Sequence, residues 1–460
     1  MAVAIAAVAL LIGIGLTVLS GDRAGVNIIA FSPTAIAHST APVRIQFGEA
    51  MDLASVESHF QIDPTAEGTI GWSGTQMTFR PRQAWSVGVT YTVTLGAGAT
   101  AAGGRRLVEP LRFSFEVAPP QIAYLAPAVP DGGADTPPNL WVADPAHPEA
   151  TRQITFSTAG VEDFRPAPDG EHIAYTIPGP RGTADLYMLN LASGDSRRLT
   201  NCAAVEARCH SPEWSPDGTR IVYARIELSR DLPVTDRDVP RAWIVHLRDL
   251  STAPLLSDPL ALGAAPRWSP DGTHIALFDR SLGSIAVYDL TTGARLLIPT
   301  LEGESGDFAF DPSGERFAYP QLVMMPGRFT SRLELVYLND PARGIVALTD
   351  ADGPPTEDKL PAWHPDGERL AVTRRYMDGS GPPSAQVYLL DPVAATAEPL
   401  VIDAEYFHGA IAWDPSGERL LMQRLPVASP QPVPGVWVLE VATGRVVEIA
   451  RNGYLPAWIP

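Results

Sequence analysis

The sequence predicts an all-β chain: a β-sandwich followed by a ring of four-stranded repeats, with one apolar segment ahead of both. Three observations carry this reading. A phrase of the type Pro-x-Trp-Ser-Pro-Asp-Gly occurs six times, about every 50 residues. Short alternating runs such as "VRIQF", Val43–Phe47, fill the intervals. Proline (45) and glycine (39) are abundant enough to punctuate many tight turns, and an apolar fraction of 45% supplies a core.

Residues 1–20 come first, as MAVAIAAVALLIGIGLTVLS. The apolar run Ala2–Leu19 makes a helix of about 27 Å at ~1.5 Å per residue, enough for a hydrocarbon core. It is expected to be a transmembrane anchor. A cleaved signal segment is the alternative, but no Lys or Arg precedes the run, and Ala-x-Ala occurs only further on, at Ala35-Ile36-Ala37. Either reading places the rest of the chain outside the cytoplasm, at the cell surface or on the periplasmic side.

Residues 25–118 alternate in strand-length runs. "TIGWSGTQMTFRP" reads as a hairpin around Ser73-Gly74, and "TYTVTLGAG" and "LRFSFEV" alternate again. Such runs over ~90 residues predict a β-sandwich.

From residue 121 to 460 the chain is periodic. The recurring phrase carries Gly170, Gly218, Gly272, Gly314, Gly367 and Gly417, with gaps of 48, 54, 42, 53 and 50. Each part has a physical job. Pro ends a short inner strand because it cannot donate to a continuing ladder. Asp-Gly or Ser-Gly supplies a positive-φ turn. "IVYAR" or "LAVTR" then forms a second strand. A second phrase ("DLYMLNL", "IAVYDL", "VWVLEV") is strand three, and runs such as "ARLL" and "RVVEI" are strand four. Four strands in about 50 residues make one propeller blade.

Six phrases give six blades, and the two ends of the region give a seventh. "QIAYLAP" from Gln121, "NLWVADP" from Asn139 and "RQITF" from Arg152 supply strands two, three and four without an inner strand. The terminal "LPAWIP", Leu455 to Pro460, is an inner strand without the others. The expected architecture is a seven-bladed β-propeller closed by the C-terminal strand, which leaves no open edge.

Two resemblances follow from these residues. "IQFGEAMD", "WSGTQMTFRP", "VTYTVTLGAGA" and "FSFEV" resemble the bacterial Ig-like domains of surface proteins. The six W-S-P-D-G-x-x-I-A phrases resemble the TolB-type, WD-related propeller repeat of bacterial envelope proteins, which also accompanies the catalytic domain of prolyl-oligopeptidase-like enzymes. The first resemblance implies a spacer without a catalytic site. The second implies a protein-interaction role in the envelope. TolB-type proteins lack the Ig-like domain, so the partner is not carried over.

Composition narrows the partners. The net charge of −18, with Lys359 as the sole lysine, excludes nucleic acid. No G-x-S-x-G, H-E-x-x-H or P-loop occurs, so no catalytic residue, cofactor or metal is assigned. The expected function is a membrane-anchored extracytoplasmic binding or scaffold protein. Its partner would be a protein or envelope component on the face that carries the long loops "IELSRDLPVTDRDVPRA", "QLVMMPGRFTSR", "RRYMDGSGPPSA" and "RLPVASPQPVPG".

Met324, Met325 and Phe329 are apolar residues in such a loop and are partner-contact candidates. Asp163, His210, Asp307, Lys359 and His408 precede inner strands and are candidates for a binding rim at the channel mouth. An enzyme with a site there, a lyase or hydrolase using Asp163, Asp307, His210 or His408, is the alternative function. Cys202 and Cys209 are expected to form a local disulfide, with a Cys202, Cys209 and His210 metal set as the alternative.

Overall fold

The computed structural model describes residues 25–128, 136–228, 239–257, 262–300, 306–325, 328–349 and 354–460. The membrane segment expected at residues 1–20 lies outside the described residues. Among the described residues no helix is long and apolar enough to cross a membrane. Two units divide the chain, one ending at Pro119 and one starting at Pro120.

Alternation builds the first unit. One sheet has the order Ile28–Ser32, Val43–Phe47, Gln76–Pro81, Gly68–Ser73. The other runs Ala35–Ala37, Leu111–Val117, Thr90–Leu95, Phe60–Asp63. Val43, Ile45, Phe47, Val93, Leu95 and Phe115 turn inward around Trp85. The buried indole Nε1 of Trp85 donates to the Ala41 carbonyl at 2.7 Å, which satisfies its one polar atom. A helix over Leu53–His59, absent from the strand pattern, is capped by Asp52, whose Oδ1 accepts from the Ser55 N–H at 3.0 Å.

In the second unit the repeated phrase folds the same way each time. The inner strands are Phe164–Pro166, Ala207–Trp214, Ala264–Trp268, Ala309–Phe310, Thr356–Trp363 and Tyr406–Trp413. Each turns through its glycine into an antiparallel second strand, for example Arg220–Glu227 or Arg419–Pro426. The turn glycines have φ between 68° and 77°, a conformation that glycine adopts without a Cβ penalty. Third and fourth strands complete each sheet as an antiparallel meander. A single parallel bridge, Ala184 to Arg208, joins the sheets of the first two repeats.

Tyr454–Ile459 pairs antiparallel with Gln121–Pro127, placing Trp458 opposite Ile122 and Tyr454 opposite Leu125. That sheet has the order His147–Gln153, Pro138–Asp144, Gln121–Pro127, Tyr454–Ile459. Its apolar faces pack two ways. Ile122, Tyr124 and Ala126 meet Leu421, Val436 and Val438 of the sixth repeat. Ala123, Leu125 and Val142 meet Ile173, Tyr175 and Leu189 of the first. Five further clusters join successive repeats.

Two expectations need correction. The fourth strand of the split sheet runs over His147–Gln153 and does not begin at Arg152. The Asp144 carboxylate accepts from the Ala146 N–H at 2.8 Å, which tightens the turn so that pairing resumes at once. Residues 321–325 and 328–332 are not loop. They are the outer halves of two ten-residue strands, Arg316–Met325 and Arg328–Tyr337, paired in register out to Met325 and Arg328. The β-branched Val323 and Thr330 favour strands, and only two residues lie between the two strands in sequence. In the long segment from Ile226, residues 229–238 lie outside the described residues.

Candidate functional site

In four of the six repeats the turn that ends the inner strand is held by one serine–aspartate pair, written in two orders. In repeats two and three, Ser215 and Ser269 donate to Asp217 and Asp271 at 2.6 and 2.5 Å. The same hydroxyls accept from the N–H groups of Arg220 and His274 at 3.0 and 2.8 Å. Repeats four and six exchange the two residues. There Ser313 and Ser416 donate to Asp311 and Asp414, both at 2.7 Å, and the aspartates accept from the N–H groups of Arg316 and Arg419 at 2.9 and 3.0 Å. The exchange also gives each aspartate an arginine side chain, Arg316 Nε at 2.9 Å and Arg419 Nε at 3.3 Å. Repeat five has His364 in the serine place, and its ring meets Trp413 edge-on.

Inner-strand tryptophans join neighbouring repeats. Trp214, Trp413 and Trp458 donate through Nε1 to the carbonyls of Arg165, Ala362 and Ala412 at 3.0, 3.1 and 3.1 Å. Arginines beyond the turn of the preceding repeat cover the rings: Arg220 over Trp268, Arg316 over Trp363 and Arg419 over Trp458, at 4.9, 4.6 and 5.4 Å. Trp458 makes both contacts, so the terminal hexapeptide does the work of an inner strand.

Three residues before each of five tryptophans the chain bulges through a non-glycine residue with positive φ. These are Ser211 (55°), Ala265 (47°), Leu360 (53°), Ala410 (43°) and Leu455 (48°). The bulge separates His408 from the other expected rim residues. His408 shares one repeat position with Cys209 and Asp358, and all three are fully buried. Asp163, His210, Asp307 and Lys359 are half-exposed.

The buried group is internally occupied. Asp358 holds Arg374 with both oxygens, at 2.7 and 2.9 Å. Burial pushes its carboxyl up, against the pull of Arg374. His408 places Nδ1 3.3 Å from the Ala385 carbonyl, so that nitrogen carries the proton. Nε2 is buried without a hydrogen-bond partner. Burial, then the neighbouring Arg424, push its pKa down to about 4.

The half-exposed group is likewise engaged in local contacts. Asp163 accepts from the Thr176 hydroxyl on one oxygen and from the Ser211 N–H at 2.8 Å on the other, which ties the first repeat to the bulge of the second. His210 contacts the Ser211 hydroxyl at 2.9 Å, and burial lowers its pKa against the pull of Asp163. Lys359 lies 3.5 Å from Glu357. Asp307 acts electrostatically on Arg267, which with Arg165 flanks Glu213 at 3.6 and 2.7 Å. Among the described residues, the one cluster with metal-ligand spacing is Asp169, Glu171 and His172, at a turn. No rim candidate belongs to it.

Cys202 and Cys209 are joined in a disulfide, with Cα atoms 6.1 Å apart. Both thiols are consumed, so the alternative metal set with His210 does not form. Among the partner-contact candidates, Met324 and Phe329 are cross-strand neighbours near the hairpin tip, 78% and 62% exposed. Met325 pairs with Arg328 in the backbone ladder. Sequence reasoning missed the arginines seven residues beyond the turn glycine. Arg225, Arg374 and Arg424 each stack on an aromatic ring: Trp243, Tyr388, and both Tyr406 and Trp437. Their constant offset in the repeat was the available signal.

Two tiers of likeness now fit this geometry. Residues 22–117 match the family model described as the bacterial Ig-like domain. The second unit is TolB-like. The Tol-Pal system protein TolB of Alcanivorax borkumensis is 34% identical over 97 residues, 21% of this chain and 20% of that protein. The Tol-Pal system protein TolB of Hahella chejuensis is 32% identical over 83 residues, 18% of this chain and 19% of that protein. These matches span about a fifth of each curated relative. Among solved structures, a puromycin-hydrolyzing peptidase of Mycobacterium tuberculosis superposes with a TM-score of 0.52 at 18% identity. It covers 72% of this chain and 52% of that one, a likeness of fold alone. The chain is thus a TolB-like propeller protein with an N-terminal bacterial Ig-like domain.

Proposed function

We propose that the chain is an extracytoplasmic binding or scaffold protein, held at a membrane by residues 1–20, whose propeller engages a protein or envelope component. The seven sheets close into one ring in this reading. The pairing of Trp458 with Ile122 and the two-sided packing of that sheet support closure. Similarity to proteins named for the Tol-Pal system supports the envelope and the protein partner. The Ig-like domain, residues 25–118, is the spacer, and residues 121–460 are the recognition module.

One observation carries the choice of surface. The fourth repeat's hairpin displays Met324 and Phe329 side by side near its tip, both in water. Exposed apolar pairs on a rigid hairpin are contact residues for a partner. Charge adds a preference. Residues 25–119 hold six arginines and seven carboxylates, so nearly all of the −18 belongs to the propeller. A basic partner is therefore attracted at long range.

The test is a pull-down from membranes with the intact chain and with Met324→Ser/Phe329→Ser. Loss of specific partners from the variant is the expected result. Unchanged partners would remove the hairpin from the reading.

A channel-mouth enzyme is the second reading, and the unpartnered Nε2 of His408 is the observation in its favour. Against it, Asp163 and Asp358 spend both oxygens on internal hydrogen bonds. A hydrolase or lyase activity abolished by His408→Gln, with folding intact, would establish it.

A further inference from the structure

We propose that the Ig-like domain has a docking groove of its own, between its edge strands Phe60–Asp63 and Gly68–Ser73, for an extended apolar segment of another protein flanked by Lys or Arg. The inference goes beyond the hairpin reading above and does not depend on it.

Each of these strands ends its sheet, so the sandwich is open along this side. A groove of about 710 Å³ lies there. All four residues of Phe60–Asp63 line it, although alternate side chains of a strand point to opposite faces, so the groove follows the strand's edge. Ala66, Ile70 and Phe79 add apolar lining, and the Phe60 and Phe79 rings stand 5.5 Å apart.

Backbone groups point into this groove without partners. The Gly96 N–H donates to the His59 carbonyl at 2.9 Å, which makes His59 and Gly96 a hydrogen-bonded pair. Alternation then turns Gln61 and Asp63 toward Thr90–Leu95, and Phe60 and Ile62 toward the free edge. The Phe60 N–H is spent on the Glu57 carbonyl. The Phe60 carbonyl and the N–H and carbonyl of Ile62 have no hydrogen-bond partner among the described residues. Ile62 is only 9% exposed, and backbone groups so placed are nearly always paired. On the other edge strand the Arg82 N–H donates to the Glu67 carbonyl at 2.8 Å, and the same alternation turns the N–H and carbonyl of Ile70 outward. An added strand supplies the missing partners, and its apolar side chains enter between Phe60 and Ile70.

Charge selects the occupant. Glu57 and Asp63, both exposed, also line the groove, and none of the lining residues is basic. Glu57 accepts only a 3.5 Å contact from the Trp72 indole. The two carboxylates flank Phe60 and Ile62 in sequence, so Lys or Arg on either side of an apolar centre is favoured. A second copy docked edge to edge would set these carboxylates against its own, so the segment comes from a different protein.

The experiment pans a phage-displayed library of random linear peptides on the full chain, with counter-selection on Glu57→Lys/Asp63→Lys so that binders of the hairpin drop out. Both replaced side chains are exposed, and circular dichroism checks that the variant folds. Enriched sequences are made as synthetic peptides. Fluorescence anisotropy measures them against the intact chain, the double variant and Glu109→Lys, an exposed carboxylate outside the groove lining. The expected peptides combine apolar residues with Lys or Arg. They bind the double variant at least about tenfold more weakly and Glu109→Lys unchanged, and they slow amide hydrogen exchange of Ile62 in the intact chain. A selection that enriches no peptide, or peptides that bind without protecting Ile62, overturns the proposal. Self-association of the intact chain in gel filtration, lost in the double variant, would give the groove to a second copy and also overturns it.

Discussion

Deleting Leu455–Pro460 removes only the end of the chain, yet it should cost nearly as much as the propeller's whole stability. Trp458 is 8% exposed and Ile459 is 1% exposed. A buried indole covers about 150–250 Å². At about 25 cal/mol per Å² that is worth roughly 4–6 kcal/mol, and the isoleucine adds about 2–3. The indole hydrogen bond to Ala412 at 3.1 Å contributes about 1 kcal/mol. Arg419, 5.4 Å above the ring, contributes about 0.5–1. The total is roughly 8–11 kcal/mol, against about 5–15 for a whole domain. Deletion also bares the Gln121–Pro127 edge, an invitation to aggregation. Urea and thermal unfolding followed by circular dichroism, with gel filtration, are the assays. The expected outcome is loss of the cooperative transition or an aggregated species. A truncated monomer that melts within about 2 °C of the intact chain, a change under about 1 kcal/mol, would refute closure by this strand.

Further predictions concern the repeat itself. Asp311→Ala strands the Arg316 side chain beside a fully buried position and should destabilise by about 3–5 kcal/mol. The exchange Asp311→Ser with Ser313→Asp writes the other order of the same turn, and urea midpoints should place it well above the alanine variant. Ala410→Gly relieves a backbone at φ 43° and should stabilise by about 1 kcal/mol in equilibrium unfolding. His408 titrates near pH 4 when folded and near 6.5 when unfolded, so the unfolded chain binds the extra proton between these values. Its contribution is complete above about pH 6.5 and is lost as pH falls toward 4, by about 3 kcal/mol. Stability curves of His408→Gln should be flatter across that window than those of the intact chain.

The strand order and the partner of "LPAWIP" were legible because a repeat supplies its own reference. Six copies fix the spacing of the inner strand from the turn glycine, and four of them put Trp four residues before it, so a fragment can be placed in register. The Ig-like domain was legible from period-two alternation, although its helix at Leu53–His59 was not, being too short to show a period. The candidate rim was only half legible. Offsets from the turn located Asp163, His210, Asp307, Lys359 and His408, but a bulge at Ser211, Leu360 and Ala410 rotates neighbouring positions apart. Nothing in composition marks those residues for positive φ.

By itself, then, the sequence determined the all-β class, the period, the turn chemistry and the residues that end each inner strand. These are local properties: a turn needs glycine where φ is positive, and a half-buried strand needs alternation. Tertiary structure alone decided that Asp358 and His408 face the packed interior, that the arginines beyond the turns cover the next repeat's tryptophans, and that Met324 and Phe329 stand in water. Each depends on what a neighbouring repeat presents across an interface, and residues far apart in the chain supply that surface.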